Sequence, residues 1–342
     1  MQALVMRGPG DFGVEEWPTP VPADGEVLVR MVHAGICGSD LHYAFDGRVG
    51  NFVITEPLVA GHEVCGEVAE DPTGQFTPGT AVTVHPATYG PRDERIADEP
   101  HLWPGGSYLG SAAVTPHCQG AMAEYAVFRP DQLRVLPDGL GLRTAVLAEP
   151  LAVGLHAINR ALQAIDRPDL GGQRVLVSGS GPIGLLMMAA LQTHDTASVT
   201  ATDLTDAALE RARGLGVDHT VNVAGTSLEP ESYDVVLEAT GAPAALSASL
   251  AATARRGTIV QVGSLPGGPQ GFDLASLVAK EVALVGTFRF DTEIDQAVRL
   301  LAANPHWEQV ITHEYPLSEA REAFTIAKDS RASGKVIVTL RP

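Results

Sequence analysis

A glycine-rich turn between a predicted strand and a predicted helix places the strongest constraint on the fold. Residues 173–192 read QRVLVSGSGPIGLLMMAALQ, in which Gly179, Gly181 and Gly184 follow one apolar run and open another. With this spacing, the first glycine permits a tight turn, the second lets the backbone approach a pyrophosphate, and the third lets the helix pack closely on the strand. The turn therefore predicts a dinucleotide site, and an ordinary glycine-rich turn is the alternative.

The runs that surround this turn alternate between strand-like and helix-like patterns. After residue 145, short apolar runs bounded by glycine alternate with longer helical stretches. Pro150 suits the first turn of the helix that opens this region. Such alternation is typical of an α/β fold with a parallel, doubly wound Rossmann sheet.

An acidic residue closes ASVTATD, the strand-like run that follows the glycine-rich turn. The carboxylate of Asp203 can accept hydrogen bonds from a ribose diol and would repel a 2′-phosphate. Leu204 follows it, so no adjacent arginine is available to hold such a phosphate. This pattern favours NAD over NADP as the cofactor.

The chain before residue 145 consists of short β-like runs broken by glycine and proline. That pattern is typical of an all-β, barrel-like unit. Residues 86–110 are rich in proline, glycine and charge, which predicts a long loop.

The composition excludes several classes of protein. A formal net charge of −18, with no run of lysine or arginine longer than two, argues against nucleic-acid binding. Three cysteines in 342 residues do not suit a secreted disulfide framework, and no signal peptide or membrane-length apolar run is visible. We expect a cytoplasmic protein with a small-molecule partner and no nucleic-acid or membrane partner.

Four residues of metal-ligating type lie at three separate places in the sequence. They are Cys37, His62, Glu63 and Glu149. Thiolate, imidazole and carboxylate are zinc ligands, and three protein ligands plus an exchangeable position describe a catalytic zinc site. Each residue also has a structural interpretation: a buried cysteine, a hydrogen-bonded core histidine, a carboxylate at a helix N-terminus. Asp40 can likewise be a helix cap.

Seven motifs together carry a resemblance to a known family. They are GICGSDLHY, GRVGNF, EPLVAGHEVCGEV, AEPLAVGLHA, SGSGPIG, GTIVQVG and KEVALVGTFRF, within residues 35–290. In these motifs the chain resembles the zinc-dependent medium-chain dehydrogenase/reductases, within them the sorbitol and L-idonate dehydrogenase branch. The resemblance implies a GroES-like, β-rich catalytic domain of residues 1–149 and 289–342 and a Rossmann NAD-binding domain of residues 150–288. It also implies an active site in the cleft between them, and a homo-oligomer, either a tetramer or a dimer.

The resemblance implies a role for each metal-site residue. Cys37, His62 and Glu63 would be zinc ligands, and Glu149 would be a fourth ligand or would reach zinc through water. Asp40 would orient the ring of His62. The implied reaction is oxidation of an alcohol by hydride transfer to NAD, with zinc as the Lewis acid.

The resemblance also implies a proton path and contacts to both small molecules. Ser39 would accept the hydroxyl proton of the substrate and pass it by way of the cofactor ribose to His42. Tyr43 and Arg289 would face the substrate, together with Glu149. The residues expected to contact the cofactor are Gly179, Gly181, Pro182, Ile183, Gly184, Asp203, Val262, Gly263, Ser264, Thr287, Phe288 and Arg289.

The chain departs from the family pattern at three places. Many relatives hold a second, structural zinc with four closely spaced cysteines, but residues 86–110 contain no cysteine. We therefore predict one zinc per chain, with either ion pairs or a solvated, mobile loop in place of the second. Ala208 stands where a basic residue often helps to hold the adenosine end of the cofactor. Phe290 stands where sorbitol dehydrogenases often have tyrosine.

The segment YLGSAAVTPHCQGAMAEYAVF looks more like L-idonate dehydrogenases than sorbitol dehydrogenases. Idonate carries a carboxylate, which needs a cation or several donors. Arg289 and His117 are the candidates, with Arg48 as a weaker one. L-Idonate, oxidised at C5 to 5-ketogluconate, is thus favoured over sorbitol or xylitol. Zinc-free quinone reductases and structural lens proteins share the fold, but they lack the cysteine and histidine–glutamate ligands that this chain retains.

Overall fold

A computed structural model of the chain describes residues 1–272 and 274–341. Within those residues the chain forms twenty β-strands and nine α-helices. The strands β1 to β20 are, in chain order, Gln2–Gly8, Asp11–Glu16, Val27–Gly35, Arg48–Val49, Phe52–Val53, Leu58–Val59, Glu63–Glu70, Ala81–Val84, Ala87–Thr88, Ser107–Tyr108, Tyr125–Phe128, Leu133–Val135, Arg174–Ser178, Ser198–Asp203, His219–Asn222, Tyr233–Glu238, Thr253–Gln261, Ala283–Gly286, Ile311–Pro316 and Lys335–Thr339. The helices α1 to α9 are Gly38–Asp46, Leu142–Ala145, Ala148–Ile165, Pro182–Leu191, Asp206–Gly214, Pro243–Ala252, Ala275–Lys280, Glu293–Ala303 and Ala320–Lys328.

The chain divides into two compact units. Unit 1 comprises Met1–Glu149, Ile294–Asp329 and Lys335–Pro342, and unit 2 comprises Pro150–Glu293 and Ser330–Gly334. The chain thus returns to unit 1 after Glu293 rather than after residue 288. The reason is local, because the carboxylate of Glu293 lies 2.8 Å from Nδ1 of His156 and accepts a hydrogen bond from Asn159. Both of those residues belong to unit 2.

A mixed seven-stranded sheet organises unit 1. Its strands follow the order β12-β8-β7-β3-β20-β19, and β11 also pairs with β3. Val27, Val29 and Met31 of β3 are fully buried, as the alternation of side chains along a strand requires. The predicted β-rich unit is confirmed. Antiparallel pairing of β3 with β7 sets Gly35 directly opposite Glu63.

Unit 2 is built on a six-stranded parallel sheet. Its order is β15-β14-β13-β16-β17-β18, and every pairing is parallel. Val175, Leu176 and Val177 of β13 are fully buried, as expected for a strand covered on both faces. This order is that of the predicted doubly wound Rossmann fold, which is confirmed. The strand order reverses between β13 and β16, where such sheets bind ligands at the carboxyl ends of their strands.

Residues 86–110 form an ordered excursion closed by the pairing of β9 with β10. The predicted ion pairs are present, between Arg95 and Asp93 and between Arg92 and Glu94, but their arginines are exposed. Solvent-exposed ion pairs contribute little to stability, and each of these pairs joins residues only two positions apart. The indole of Trp103 makes a longer connection, donating a 2.9 Å hydrogen bond to the carbonyl of Ile96.

Membrane insertion of a helix finds no support in the fold. Among residues 1–272 and 274–341, no helix combines the length and apolar character needed to cross a bilayer.

Candidate metal centre and cofactor cradle

The turn between β3 and α1 presents the first candidate metal ligand. Cys37 is the residue before α1, and Asp40 occupies the third position of that helix. The carboxylate of Asp40 accepts hydrogen bonds from the backbone N–H groups of Cys37 at 3.0 Å and Gly61 at 3.3 Å. The side chain of Asp40 therefore ties the turn that carries Cys37 to the residue that precedes His62.

Three donor groups converge beside this turn. Ligand atoms of Cys37, His62 and Glu63 all lie within 4.8 Å of one another. Both His62 and Glu63 are buried. Gly35 makes room for the last of them, because a Cβ atom at that position would lie 2.0 Å from Oε2 of Glu63. The sequence GICGSDLH thus contains one candidate ligand, Cys37, and the glycine that makes room for another, Glu63.

Electrostatic interactions link His62 to Cys37 and Asp40. Burial lowers the pKa of His62, but the charges of Cys37 and Asp40 outweigh it and raise the pKa to about 10. Burial raises the pKa of Asp40, against the opposing charge of His62. In the metal-free chain, a protonated imidazole therefore neutralises part of the negative charge that the site would offer to a cation.

Glu149 lies at the edge of this cluster, in the first turn of α3. Its Oε1 accepts a 2.5 Å hydrogen bond from the hydroxyl of Tyr108. Burial raises the pKa of Glu149 to about 7, with the charge of His62 acting against the rise. Within the described residues, Glu149 is not part of the set of donors that lie within 4.8 Å of one another.

A buried lysine shares the site. Nζ of Lys335, on β20, lies 2.7 and 2.6 Å from the two carboxylate oxygens of Glu63 and 3.0 Å from the carbonyl of Ile36. Burial lowers the pKa of Lys335, but the charge of Glu63 outweighs that effect and raises it. The site therefore contains its own cation, which balances one of its carboxylates.

The residues present fit a zinc ion. Tetrahedral zinc with sulfur, nitrogen and oxygen ligands holds donor atoms roughly 3.5 Å apart, which the observed spacing allows with small side-chain movements. Nδ1 of His62 is buried and, among the described residues, has no hydrogen-bond partner. Cys37, His62 and Glu63 would hold the metal, and Glu149 would stand next to it.

Other predicted site residues lie on α1. Ser39 is half-buried in its first turn, and His42 is exposed, with Nδ1 2.9 Å from Asp46. An exposed imidazole suits exchange of protons with solvent. The hydroxyl of Tyr43 is buried and accepts a 3.0 Å hydrogen bond from the backbone N–H of Ala112.

The structure gives Asp40 and His117 contacts that differ from the predicted ones. The carboxylate of Asp40 accepts hydrogen bonds from backbone N–H groups, so its influence on the ring of His62 is electrostatic. His117 is buried and uses both ring nitrogens internally. Its Nδ1 lies 2.9 Å from the carbonyl of Val114, and its Nε2 accepts from the backbone of Thr55 at 3.0 Å. We therefore do not retain His117 as a substrate contact.

Sequence reasoning missed Tyr108 and Lys335, although one of them left a signal. Lys335 opens KVIVT, a strand that is buried through its first four positions, and a charged residue in such a strand needs a partner. Tyr108 left no comparable signal, because its contact with Glu149 depends on how residues 86–110 fold.

The glycine-rich turn of unit 2 has the geometry that its spacing predicts. Gly179 adopts φ +99°, which favours glycine. A Cβ atom on Gly184 would lie 1.9 Å from the carbonyl oxygen of Gly179, whereas one on Gly181 would meet no atom within 4 Å. Gly181 therefore borders open space at the N-terminus of α4, where backbone N–H groups favour an anion.

Asp203 lies next to this turn. Its Oδ2 accepts a 3.0 Å hydrogen bond from the backbone N–H of Ser180, inside the turn, and its Oδ1 accepts from Thr205. Asp203 thus stands at the end of β14, beside the space that Gly181 leaves open. That is the position from which a carboxylate binds a ribose diol.

Two buried polar atoms lie at the carboxyl ends of β17 and β18. Within the described residues, Oε1 of Gln261 and Oγ1 of Thr287 have no hydrogen-bond partner. Unpartnered polar atoms at this edge of the sheet fit a ligand that supplies hydrogen bonds. Together with the open glycine turn, they fit a dinucleotide.

The remaining predicted cofactor residues either lie in the glycine turn or follow the strands β17 and β18 in the sequence. Pro182, Ile183, Val262 and Gly263 are half-buried, and Ser264 is exposed. Beyond β18, Phe288 is exposed, and the guanidinium of Arg289 lies over its ring at 4.7 Å. Phe290 is 1% exposed, so its side chain is buried within the protein.

Comparison with known proteins gives these two sites a common context. Residues 23–138 match the alcohol dehydrogenase GroES-like domain family, and residues 182–303 match the zinc-binding dehydrogenase family. The chain is 33% identical to L-idonate 5-dehydrogenase (NAD(P)(+)) of Escherichia coli, over 98% of this chain and 97% of that protein. It is 34% identical to the sorbitol dehydrogenase of Gallus gallus, over 95% and 93%.

A solved structure agrees with these matches in three dimensions. The crystal structure of Escherichia coli L-idonate 5-dehydrogenase superimposes with a TM-score of 0.91 at 32% identity, covering 99% of this chain and 97% of that one. The metal donors, the glycine turn and the full-length similarity lead to one conclusion. The chain belongs to the zinc-binding alcohol dehydrogenase family and is an NAD-dependent zinc alcohol/polyol dehydrogenase.

Proposed function

We propose that this enzyme oxidises a secondary hydroxyl of a sugar acid and that L-idonate, converted to 5-ketogluconate, is its preferred substrate. The observation that carries the proposal concerns the segment whose sequence looks like that of L-idonate dehydrogenases. Two of its residues contact candidate site residues: Tyr108 donates to Glu149, and Ala112 donates to the hydroxyl of Tyr43. The segment that favours idonate therefore helps to shape the metal centre.

The proposed chemistry assigns a task to each residue of unit 1. Cys37, His62 and Glu63 hold zinc, which supplies Lewis acidity at the alcohol oxygen when bound. Ser39 accepts the hydroxyl proton, and His42, whose side chain is 61% exposed, releases it to solvent. Tyr43 still has its own phenolic proton to donate, since its oxygen acts as acceptor toward Ala112.

Unit 2 supplies the cofactor site in this proposal. The glycine turn and the N-terminus of α4 hold the pyrophosphate, and Asp203 binds the adenosine ribose. The negative charge of Asp203 favours NAD over NADP. NAD supplies the hydride acceptor when bound.

The substrate carboxylate requires a cation, for which Arg289 is the first candidate. Arg48, an exposed residue of β4, is the alternative. Replacing the arginine that binds the carboxylate would lower kcat/KM for idonate relative to kcat/KM for sorbitol. Arg289→Met and Arg48→Met serve as matched controls for each other, because a cofactor effect cancels in the ratio between the two substrates.

Initial rates with L-idonate, sorbitol and xylitol, each with NAD⁺ and NADP⁺, test the proposal. We expect the highest kcat/KM for L-idonate with NAD⁺. A clear preference for a neutral polyol would replace idonate by sorbitol or xylitol, the second candidate, which the similarity to sorbitol dehydrogenases favours.

The metal is tested separately from the substrate. We propose one zinc per chain, supported by the absence of cysteine from residues 86–110. Chelation should abolish activity and zinc should restore it, whereas a zinc-free reductase would keep its activity. Elemental analysis that finds two zinc ions per chain would contradict the stoichiometry.

A further inference from the structure

A phenol that belongs to none of the predicted sites reaches the metal centre. Tyr108 is buried, and its ring lies 5.5 Å from the ring of His62, edge to face. Its hydroxyl donates to Oε1 of Glu149 at 2.5 Å. Hydrogen bonds from a hydroxyl to a carboxylate are among the strong ones, and burial of both partners removes competition from water.

This hydrogen bond makes the two carboxylate oxygens of Glu149 inequivalent. Oε1 is directed to Tyr108, so Oε2 is the oxygen that remains for other partners. Glu63 presents a different arrangement, because both of its oxygens contact the ammonium of Lys335. The two glutamates of the site are therefore held by different donors and in different ways.

The position of Tyr108 is set by the backbone. Tyr108 pairs with Ala87 in the β9–β10 ladder, and the next residue, Leu109, donates a 3.1 Å hydrogen bond to the carbonyl of Pro86. A slip of one residue in this short ladder would turn the phenol to the opposite face. The pairing thus acts as a support that aims the hydroxyl at Glu149.

We propose that Tyr108 is a positioning residue of the metal centre: its hydroxyl holds one oxygen of Glu149, so that Glu149 acts on the metal, or on a water bound to it, through the other oxygen alone. The proposal rests on the zinc centre proposed above. It assigns to Tyr108 a task beyond packing, since an aromatic ring without the hydroxyl would fill the same space.

Titration of the metal-free protein with Co²⁺ tests the proposal without any turnover. The visible absorption of bound Co²⁺ reports its coordination geometry. In Tyr108→Phe, Glu149 loses its orientation, so we expect a changed absorption spectrum and a Co²⁺ dissociation constant raised by roughly 10- to 100-fold. Tyr315→Phe removes a phenolic hydroxyl from β19 of the same unit and should leave both measurements unchanged.

A double-variant comparison distinguishes positioning from packing. If Tyr108 acts through Glu149, Tyr108→Phe should have no further effect in a Glu149→Ala background. An unchanged spectrum and affinity in Tyr108→Phe would overturn the proposal, as would an equal loss in both backgrounds. Failure of the unmodified chain to bind Co²⁺ would instead overturn the metal centre itself, and this proposal with it.

Discussion

The ammonium of Lys335 contacts both carboxylate oxygens of Glu63, at 2.7 and 2.6 Å, with both side chains almost fully enclosed. This pair joins β20, near the end of the chain, to a candidate zinc ligand on β7. A buried charge that loses its partner is costly, so the pair makes the metal-free site dependent on the lysine.

Lys335→Met should destabilise the metal-free protein by about 3–5 kcal/mol, because the charge of Glu63 would remain buried without a partner. Bound zinc would compensate that charge, so the loss should be smaller in the zinc-loaded protein. Urea unfolding of both forms measures the difference. Lys328→Met, at a lysine that contacts the ring of Phe45 on the surface, is the control. Equal losses with and without zinc would contradict the role assigned to Glu63.

Gly35→Ala should displace Glu63, since the added Cβ would lie 2.0 Å from its Oε2. We expect zinc affinity to fall by roughly 10- to 100-fold, as for other changes that disturb the support of a ligand. Gly38→Ala, three positions along the same turn, meets no atom within 4 Å and is the matched control. Competition with a metal-sensitive dye measures both variants. Equal affinities in the two would mean that Glu63 does not bind the metal.

Comparison of Gly181→Ala with Gly184→Ala should distinguish an effect on cofactor affinity from an effect on stability. A Cβ added at Gly181 would enter open space, so the free energy of unfolding should change by less than about 0.5 kcal/mol, as at an uncrowded site. NADH affinity should nevertheless fall roughly tenfold or more, equivalent to about 1.4 kcal/mol, if the pyrophosphate occupies that space. Gly184→Ala meets the carbonyl of Gly179 and should lose about 1–3 kcal/mol of stability. The fluorescence of NADH measures its affinity, and thermal unfolding measures stability. Normal NADH binding by Gly181→Ala would show that the pyrophosphate does not occupy the space beside Gly181.

Asp203→Ala should weaken the preference for NAD⁺ over NADP⁺ by roughly 10- to 100-fold, the value of about 1.5–3 kcal/mol for hydrogen bonds to a charged group. The change removes both the ribose acceptor and the repulsion of a 2′-phosphate. The ratio of kcat/KM for the two cofactors measures it. Asp206→Asn, in the first turn of α5, should leave the ratio as it is. A preference that survives in Asp203→Ala would place cofactor discrimination at another residue.

The pair of Glu293 and His156 should make stability depend on acid. Burial raises the pKa of Glu293, but hydrogen bonds from His156, Asn159 and the N–H of Asp291 outweigh it and lower the pKa to about 2. The carboxylate therefore contributes stability above its unfolded pKa of 4.5, up to about 3 kcal/mol, and loses it as pH falls toward 2.

Chemical unfolding between pH 6 and pH 3 checks this dependence. The advantage of the unmodified chain over Glu293→Gln should be constant above about pH 5 and should shrink as the pH falls. Glu229→Gln, at an exposed carboxylate, provides the control. A difference that does not change with pH would show that the pair contributes no linked proton.

The sequence was most informative where function depends on neighbouring residues. The spacing of Gly179, Gly181 and Gly184 predicts their environments because each requirement is a local backbone one, and the φ of Gly179 confirms the turn. The ends of parallel strands are equally predictable, so Asp203 lies beside the glycine turn as expected.

Contacts that depend on the pairing of distant strands could not be predicted from the sequence. The residue types of Cys37, His62 and Glu63 suggest a metal site from the sequence alone. Lys335 lies beside them because β20 pairs with β3, although the two strands are far apart in the sequence. His117 suited a substrate carboxylate by residue type, yet the fold commits its nitrogens to Thr55 and Val114. Composition cannot distinguish a histidine that serves a ligand from one that serves the backbone.

The excursion over residues 86–110 is fastened by peptide pairing and an indole, and it contains neither cysteine nor methionine. A lobe held by four thiolates would couple its folding to zinc supply and to oxidant exposure. Residues 86–110 offer no sulfur atom to chelators or peroxides, so we expect chelators to act on the enzyme at the proposed zinc site of Cys37, His62 and Glu63 instead.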